Sequence, residues 1–336
     1  MKAVELAAPS FVALHHVTLP DPGPPGPGRI VVRMKAASFN FADLAVITGK
    51  FPGVSFPIIP IADGAGEVVS VGEGVWQVKP GDRVAAPPKP DWVAGPSTAK
   101  LAGAMRGVTL PGALVEFAEL SAASVVKAPD HLNWEEIASL PIAAMTAWRA
   151  LEMAAIGPAS IVVVLGTGGV SIFTLQLAKA LGARVIVTSS SNEKLERARN
   201  LGADITINYR ATPDWHEVIL AETENIGADF ILDPVGGVDF YKTIAAVRHG
   251  GTVSAIGFLG GTETPLNLLH VVNGEVRIQG SNGGSVADFA AAVAVISRRQ
   301  IRPVVDRVFP LSDLVGGYKL MAAAEHFGKI AIRLDW

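Results

Sequence analysis

A glycine-containing turn is the segment whose residue types most clearly point to chemistry. The sequence Gly166-Thr167-Gly168-Gly169-Val170-Ser171 directly follows the apolar run Ile161–Leu165, and a continuous apolar run is typical of a buried parallel strand. The first glycine allows a tight turn, and the second allows a phosphate group to approach the backbone. A helix beginning at Val170 would direct its free N–H groups at that phosphate. The pattern predicts a dinucleotide-binding turn; the alternative is a tight strand–helix turn without a ligand.

The residues after the second predicted strand, which ends at Thr188, bear on the choice of dinucleotide. An acidic residue there would bind the ribose hydroxyls of NAD and would repel an additional phosphate. This chain instead has Ser189, Ser190 and, one turn further on, Lys194. Hydroxyl donors and a cation would hold the extra phosphate of NADP, so NADP(H) is favoured and NAD(H) is the alternative. The alternative is that Ser191 or Asn192 caps the next helix and that Lys194 is solvated, and the two interpretations are compatible.

The composition excludes several other kinds of site. The 336-residue chain has no cysteine, which removes disulfides, thiolate zinc sites and thiol nucleophiles. The formal net charge of −3 gives no excess of positive charge for nucleic acid. The longest apolar segment, residues 154–179, contains Pro158 and four glycines, so a membrane span is a poor interpretation of it. Because no signal-peptide pattern follows Met1, we expect a cytoplasmic protein without nucleic-acid or membrane partners.

The composition and the spacing of apolar runs change along the chain, and this change indicates which elements position the glycine turn. Residues 1–125 are rich in glycine and proline and contain short β-type runs, which predicts a mainly antiparallel β unit; the runs include Ile30–Met34, Gly66–Val71 and Asp82–Ala85. From about residue 160, apolar runs recur roughly every 20–24 residues, the length of a strand plus a crossover helix; they start near Ile161, Arg184, Ile205, Asp229, Thr252 and Val276. This spacing predicts an α/β fold with a doubly wound, six-stranded parallel sheet and helices on both faces.

Predicted helices and a final pair of strands complete the organisation. Helices are expected over Val170–Leu181 and Glu193–Leu201, each followed by a glycine, and over Val286–Arg298. The β-type runs Val304–Phe309 and Lys329–Leu334 indicate a return to the first domain. We therefore predict a mainly β domain from residues 1–125 and 283–336, and a dinucleotide-binding domain from residues 126–282.

A series of short motifs extends over nearly the whole chain. They are Pro60–Val68, Val71–Val75, Lys79–Val84, Leu140–Trp148, the glycine turn, Asn208–Arg210 and Asp233–Gly237. In this order they resemble the medium-chain dehydrogenase/reductase superfamily, specifically its zinc-free, quinone-oxidoreductase-like branch. The resemblance implies a GroES-like, mainly β catalytic domain and a Rossmann domain. It also implies a homodimer formed by edge pairing of the last Rossmann strand, Val276–Gly280.

The zinc-containing branch of the superfamily has ligands that this chain lacks. It would have cysteine at the positions of Asn40 and Ile142 and histidine at the position of Ala62, and Asp63 stands where that branch has a glutamate. The cysteine-rich lobe that holds structural zinc is replaced by residues 87–112. We therefore expect an enzyme that works without zinc.

The resemblance also implies site residues. It places Asn40 and Asp43 near the nicotinamide, Thr146 beside the cofactor and Tyr209 close to the adenosine phosphate. Four residues at the ends of later strands, where ligands bind in such sheets, complete the predicted cofactor site: Gly257, Phe258, Ser281 and Asn282. For Asn40 and Asp43 the alternative is a buried polar pair that satisfies backbone groups. Many relatives carry a tyrosine where this chain has Phe51, and residues 1–125 contain no tyrosine, so no phenol of this N-terminal segment serves as a proton donor.

These features predict hydride transfer between NADP(H) and a small carbonyl, quinone or enone. Asn40, a backbone N–H or a water would meet negative charge developing on the substrate oxygen. Apolar residues such as Phe41, Phe51, Phe56 and Trp92 favour an aromatic or conjugated substrate. Two alternatives remain: an NAD(P)-dependent alcohol or aldehyde reductase, and a non-catalytic dinucleotide-binding sensor or scaffold.

Overall fold

The chain folds as two units that each contain one main sheet. The computed structural model describes residues 1–336. The first unit comprises Met1–Met145 together with Gly284–Trp336, and the second comprises Thr146–Gly283. None of the helices is both long enough and apolar enough to cross a lipid bilayer.

The N-terminal part of the first unit is mostly strand. Its strands are β1 (Lys2–Leu6), β2 (Leu14–Thr18), β3 (Arg29–Ser38), β4 (Asp63–Val71), β5 (Arg83–Ala86), β6 (Phe117–Ser121) and β7 (Val126–Lys127). Its helices are α1 (Phe41–Ile47), α2 (Ala99–Gly103) and α3 (Trp134–Ala138), and α4 (Pro141–Met153) runs across the division between the units. Buried apolar residues of β3 and β4, among them Ile30, Val32, Met34 and Val68, belong to one continuous core.

The second unit is built from strand–helix repeats. Its strands are β8 (Ile161–Leu165), β9 (Arg184–Ser189), β10 (Ile205–Asn208), β11 (Ala228–Asp233), β12 (Val247–Ala255) and β13 (Arg277–Gly280). Its helices are α5 (Gly169–Ala180), α6 (Asn192–Asn200), α7 (Trp215–Glu222), α8 (Phe240–Ala246) and α9 (Leu268–Asn273). The strands pair in the order β10-β9-β8-β11-β12-β13, and all pairs are parallel. The predicted doubly wound, six-stranded parallel sheet is confirmed.

The end of the chain returns to the first unit. It contributes α10 (Val286–Arg298), β14 (Val305–Pro310), α11 (Leu314–Ala323) and β15 (Lys329–Arg333). The main sheet of this unit runs β14-β15-β3-β4-β5-β7, with β6 also paired to β3. All of these pairs are antiparallel except β14 with β15, so the predicted mainly antiparallel unit is confirmed. β15 therefore lies beside β3, which carries Ser38 directly before the predicted catalytic segment.

The division between the units lies after Met145 rather than after residue 125, where the sequence placed it. Two tertiary interactions explain the difference. Strand β7 pairs with β5, and Lys127 forms an ion pair with Asp82 at 2.8 Å. Helix α3, whose N-cap Asn133 accepts the N–H of Glu136, packs on the same sheet. Strand β7 and helix α3 come after residue 125 in the chain, but both belong to the first unit.

Candidate functional site

The glycine turn lies at the carboxyl end of β8, beside the point where the strand order reverses. Gly166 has φ +76°, a conformation that glycine adopts without strain. No side chain caps helix α5, whose N-cap is Gly168, so its first-turn N–H groups lack a partner from the helix or from a cap. A Cβ at Gly166 or Gly168 would meet no atom within 4 Å. The backbone here forms an open cradle of the kind that a pyrophosphate fits.

The neighbouring residues of the turn hold the backbone in place. Ser171, at the third glycine position, is buried and donates its hydroxyl to the carbonyl of Leu165 at 2.9 Å. Thr167 is buried, whereas Gly169 and Val170 are partly exposed. The serine thus ties the helix to the end of the strand and does not intrude into the cradle.

The predicted phosphate-binding residues around the end of β9 differ in their hydrogen bonds and in their exposure. The hydroxyl oxygen of Ser191 accepts the N–H of Lys194 at 3.3 Å, so Ser191 caps helix α6, as the capping alternative proposed. Ser189 is buried, and its hydroxyl oxygen accepts the N–H of Ser191. Ser190 and Lys194 are partly exposed, and Tyr209 is 41% exposed. Ser190, Lys194 and Tyr209 are therefore the accessible members of the predicted group.

A loop after β11 is organised by one buried carboxylate whose role the sequence did not reveal. Asp233 accepts the N–H groups of Val235 and Gly236 at 2.7 and 2.9 Å, and the hydroxyl of Thr243 at 2.7 Å. This loop lies against Gly257, where a Cβ would come within 2.5 Å of the Pro234 carbonyl oxygen. Phe258, the next residue, is 56% exposed. The motif Asp233–Gly237 was the available signal, since an acidic residue before two glycines suits a tightly bonded turn.

Gly237→Ala is expected to destabilise the second unit by more than 2 kcal/mol, because overpacking against backbone cannot relax cheaply. A Cβ at Gly237 would lie 2.2 Å from the Gly260 carbonyl oxygen. Gly250→Ala is the matched control: φ is +67° against +68°, but the nearest atom would be the flexible Arg248 side chain at 3.7 Å. Chemical denaturation of both variants measures the difference; equal losses of stability would show that φ alone, and not the close approach, matters.

The remaining predicted cofactor residues lie in the second unit. Ser281 donates its N–H to the Ala255 carbonyl at the end of β12, while its hydroxyl oxygen is buried without a partner. Buried polar atoms in proteins are normally hydrogen bonded, so an orphaned hydroxyl suits a site that takes a ligand. Asn282 is exposed, and Thr146 is buried in α4. The open cradle and the orphaned hydroxyl both fit a bound dinucleotide.

In the first unit, the predicted catalytic residues belong to a buried polar cluster of Asn40, Asp43, Asp63 and Lys329. Asp63 begins β4 and Lys329 begins β15, on either side of β3, and Asn40 and Asp43 follow that strand. The Lys329 ammonium donates to Asn40 Oδ1 at 2.7 Å and lies 3.6 Å from Asp63 Oδ2. Asn40 Nδ2 donates to Asp63 Oδ2 at 2.9 Å. The sequence identified Asn40 and Asp43 but missed Lys329, which is 289 residues from Asn40 in the chain.

Asp43 satisfies backbone groups, as the alternative interpretation proposed. Its carboxylate accepts the N–H of Asn40 at 2.7 Å and that of Ala62 at 2.9 Å. Burial raises the pKa of Asp43 to about 7, and the nearby charge of Asp63 adds to that effect; the two N–H donors and Lys329 oppose it. Burial also raises the pKa of Asp63 and lowers that of Lys329. Asp43 therefore changes charge near neutral pH.

The stabilising contribution of Asp43 is expected to decrease as pH rises. A carboxyl whose pKa is raised from 3.8 to about 7 in the folded state contributes stability that is complete below pH 4 and is lost as pH passes through 7. The wild type should lose roughly 1 kcal/mol more free energy of unfolding than Asp43→Asn between pH 6 and pH 8. Denaturant titrations of both proteins test this; equal losses in the two proteins between pH 6 and pH 8 would show that the pKa of Asp43 is not raised to about 7.

The three positions where the zinc branch has ligands meet around the two aspartates. Asn40 donates to Asp63, the Ala62 N–H donates to Asp43, and the Ile142 N–H donates to Asp63 at 3.2 Å. The side chains of Ala62 and Ile142 have no atom that can coordinate a metal ion, so the three residues at these positions do not fit a zinc ion. No group of three or more His, Cys, Asp or Glu side chains is arranged to hold a metal ion.

The aromatic residues proposed to contact substrate differ in their exposure. Phe41, the first residue of α1, is 46% exposed. Phe51 and Phe56 are partly buried against the core of the first unit. Trp92 is only 1% exposed, and its indole N–H donates to the Gly95 carbonyl. Trp92 therefore packs in the interior of the segment of residues 87–112, and its contact with substrate stays a prediction.

Two known protein families match this chain. The family described as "Alcohol dehydrogenase GroES-like domain" matches residues 26–130, and the family described as "Zinc-binding dehydrogenase" matches residues 169–298. A zinc-type alcohol dehydrogenase-like protein from Schizosaccharomyces pombe is 39% identical over 317 residues, which cover 92% of each chain. The chain belongs to the medium-chain dehydrogenase/reductase superfamily. It is accordingly an alcohol dehydrogenase-like oxidoreductase, a class that uses NAD(P).

Solved structures of this superfamily have the same fold over nearly the full length. A crystal structure assigned as an alcohol dehydrogenase from Sinorhizobium meliloti 1021 has a TM-score of 0.91 and 36% identity, covering 99% of this chain and 98% of that one. Another, described as an NAD-dependent alcohol dehydrogenase, has a TM-score of 0.88 and 33% identity, covering 99% of both chains. The predicted GroES-like domain plus Rossmann domain is confirmed.

Proposed function

We propose that this medium-chain dehydrogenase/reductase is an NADP(H)-dependent oxidoreductase that reduces a small apolar carbonyl, quinone or enone without a metal ion. The observation that carries the proposal is the uncapped, open glycine turn at Gly166–Gly168. When bound there, the dinucleotide supplies a hydride donor. The chain itself binds the phosphates, positions the acceptor and places polar groups at the charge that develops on its oxygen.

Metal independence is supported by the donor set. Ala62 and Ile142 offer no side-chain ligand, and Asn40 is bonded to Asp63 and Lys329. The cluster holds a cation already, because the Lys329 ammonium lies within 3.6 Å of Asp63. Charge neutralisation and a hydrogen-bond donor thus come from side chains. Dialysis against a chelator is expected to leave turnover unchanged; its loss, with recovery on adding Zn²⁺, would contradict metal independence.

The preference for NADP(H) rests on the residues around the end of β9. Ser190, Lys194 and Tyr209 are accessible there, and β9 itself contains no acidic residue. The protein described as NAD-dependent shares only 33% identity, so its cofactor does not decide the matter. Fluorescence titration with NADPH and NADH tests the preference. We expect tighter NADPH binding in the wild type and a reduced difference in Lys194→Ala; equal affinity for both cofactors in the wild type would contradict the argument.

The substrate class rests on the half-exposed Phe41, which directly follows Asn40 of the polar cluster in the chain. NADPH consumption with a panel of quinones, enones and aldehydes tests it. The names of several relatives favour the second candidate, an alcohol or aldehyde reductase, which alcohol oxidation with NADP at high pH would reveal. Cofactor binding without turnover of any compound in the panel would instead favour a sensor or scaffold.

We further propose a homodimer formed at β13. This strand is at the edge of the parallel sheet and pairs only with β12. Apolar side chains next to it are exposed, including Leu268, Leu269 and Val272 of α9. Exposed apolar surface beside an open strand edge is typical of a subunit interface. Analytical ultracentrifugation of the wild type and of Ile278→Lys tests the proposal; a wild type that stays monomeric at all concentrations would contradict it.

A further inference from the structure

We infer that Lys329 is a positioning residue: its buried ammonium fixes and polarises the Asn40 carboxamide so that one Nδ2–H can donate to the reacting substrate oxygen. The inference rests on the proposed function, since it concerns the donor that meets charge developing on the acceptor. Lys329 acts through Asn40 and does not itself contact the substrate.

The ammonium of Lys329 is held by two oxygen atoms from the segment after β3 and lies near a carboxylate oxygen at the start of β4. Only 3% of this residue is exposed. It donates to the Phe39 carbonyl oxygen and to Asn40 Oδ1, both at 2.7 Å, and lies 3.6 Å from Asp63 Oδ2. The backbone register keeps it there, because the Phe39 N–H donates to the carbonyl of Ile330 at 3.0 Å. A buried ammonium with three oxygen neighbours is a fixed element of the cluster.

This arrangement allows only one orientation of the Asn40 amide. An ammonium has donors but no acceptor, and an ionised carboxylate accepts but does not donate. Oδ1 must therefore face Lys329, and Nδ2 must face Asp63, to which it donates at 2.9 Å. Reversing the amide would place NH₂ against the ammonium and oxygen against the carboxylate. The orientation of Asn40 thus follows from the chemistry of its two neighbours.

The second N–H of Asn40 is the donor that remains available. Besides Asp63, Nδ2 has the Ser38 carbonyl oxygen at 3.5 Å, which is at the limit of a hydrogen bond. Asn40 is 9% exposed, against 3% for Asp43 and 0% for Asp63, so it is the most accessible member of the cluster. The positive charge at Oδ1 withdraws electron density from the amide and strengthens its N–H donors, as in other polarised hydrogen-bond chains. Such a donor suits an oxygen that gains negative charge.

A purely electrostatic role for Lys329 predicts a different result when the charges are removed. If the ammonium only neutralises Asp63, then removing both charges together should restore all properties of the site. If it positions Asn40, a donor to Oδ1 is needed even when the charges are gone. The two roles are separated by neutral residues of similar size, one with a donor and one without.

The experiment compares Lys329→Gln and Lys329→Met, each combined with Asp63→Asn. Both double variants are neutral, and thermal unfolding confirms that each is folded. Glutamine, one bond shorter than lysine, can donate to Asn40 Oδ1, whereas methionine cannot. We expect kcat with the best acceptor to be at least about 10-fold higher in the glutamine variant, because one oriented donor is worth about 10²-fold or more in turnover. KM and NADPH affinity should be alike. Equal kcat values in the two variants would overturn the positioning role.

A second measurement needs no substrate. The side-chain NH₂ signal of Asn40 in ¹⁵N-labelled protein is assigned by its absence in Asn40→Asp. We expect two distinct proton shifts and slow solvent exchange in wild type, with convergence of the shifts and faster exchange in Lys329→Met/Asp63→Asn. Identical Asn40 signals in the wild type and this variant would overturn the inference. A wild type that turns over no acceptor but shows the expected Asn40 signals would contradict the proposed function alone.

Discussion

Replacing Gly168 by valine is expected to weaken NADPH binding by about 10²-fold or more, while the protein stays folded. The added side chain would occupy the open cradle in front of the first turn of α5, where a Cβ at Gly168 meets no protein atom within 4 Å. Charge-assisted hydrogen bonds contribute roughly 1.5–3 kcal/mol each, and blocking even one or two of them corresponds to this loss of affinity. Fluorescence titration with NADPH gives the affinity, and denaturant unfolding gives the stability.

Gly157→Val is the matched control for this substitution. Gly157 precedes β8, so it lies at the opposite end of the strand from the glycine turn. A Cβ at Gly157 also meets nothing within 4 Å. Its NADPH affinity should match that of the wild type, and both variants should lose less than about 1 kcal/mol of stability, as is usual for open positions. Unchanged NADPH affinity in Gly168→Val would remove the glycine turn from the proposed cofactor site.

Asp63→Ala is expected to lower the free energy of unfolding by about 3–5 kcal/mol, the usual loss when one partner of a buried ion pair is removed. Asp63 is 0% exposed, and it accepts hydrogen bonds from Asn40 and from the Ile142 N–H. Without it, the hydrogen-bond partners of the buried Lys329 ammonium are the neutral oxygens of Phe39 and Asn40, and Asp43 is the carboxyl that remains near it. The cluster belongs to the core of the first unit. We therefore expect the difference in free energy of unfolding between wild type and variant to be the same at each denaturant concentration.

Two further variants sharpen this expectation. Glu222→Ala removes a partner of Arg184 from a pair whose side chains are 46% and 42% exposed, and it should lower stability by about 1 kcal/mol or less. Adding Lys329→Met to Asp63→Ala should restore part of the lost stability, because it removes the uncompensated charge. If Asp63→Ala and Glu222→Ala cost the same, the Asp63–Lys329 pair is not a buried ion pair in solution.

The parallel sheet was predictable because its signal is local. A strand buried on both faces reads as a continuous apolar run, and Ile161–Leu165 is such a run. The helix between β8 and β9 was predicted over Val170–Leu181 and found over Gly169–Ala180, and α10 was predicted with its observed bounds. Spacing between successive runs then indicated the crossover connections. The glycine turn was predictable for the same reason, since strand, turn and helix are adjacent in the chain.

The boundary of the first unit was not predictable in this way. Strand β7 is only two residues long, and nothing in its composition shows that it pairs with β5. The sequence also could not decide whether Ser191 caps a helix, because a serine can either cap a helix or bind a phosphate and its residue type is the same in both cases. Hydrogen-bond geometry decided it, through the 3.3 Å contact with the Lys194 N–H.

The sequence by itself determined the superfamily, the sheet of the second unit, the position of the glycine turn and the absence of side-chain ligands at Ala62 and Ile142. Each of these features depends only on residues adjacent in the chain or on the residue type at one position. Only the tertiary structure decided what surrounds Asn40. Lys329 reaches it because β15 pairs with β3, and Asp63 reaches it because β4 pairs with the other edge of that strand. A buried charge needs a partner of opposite sign, but the sequence does not state which distant residue supplies it.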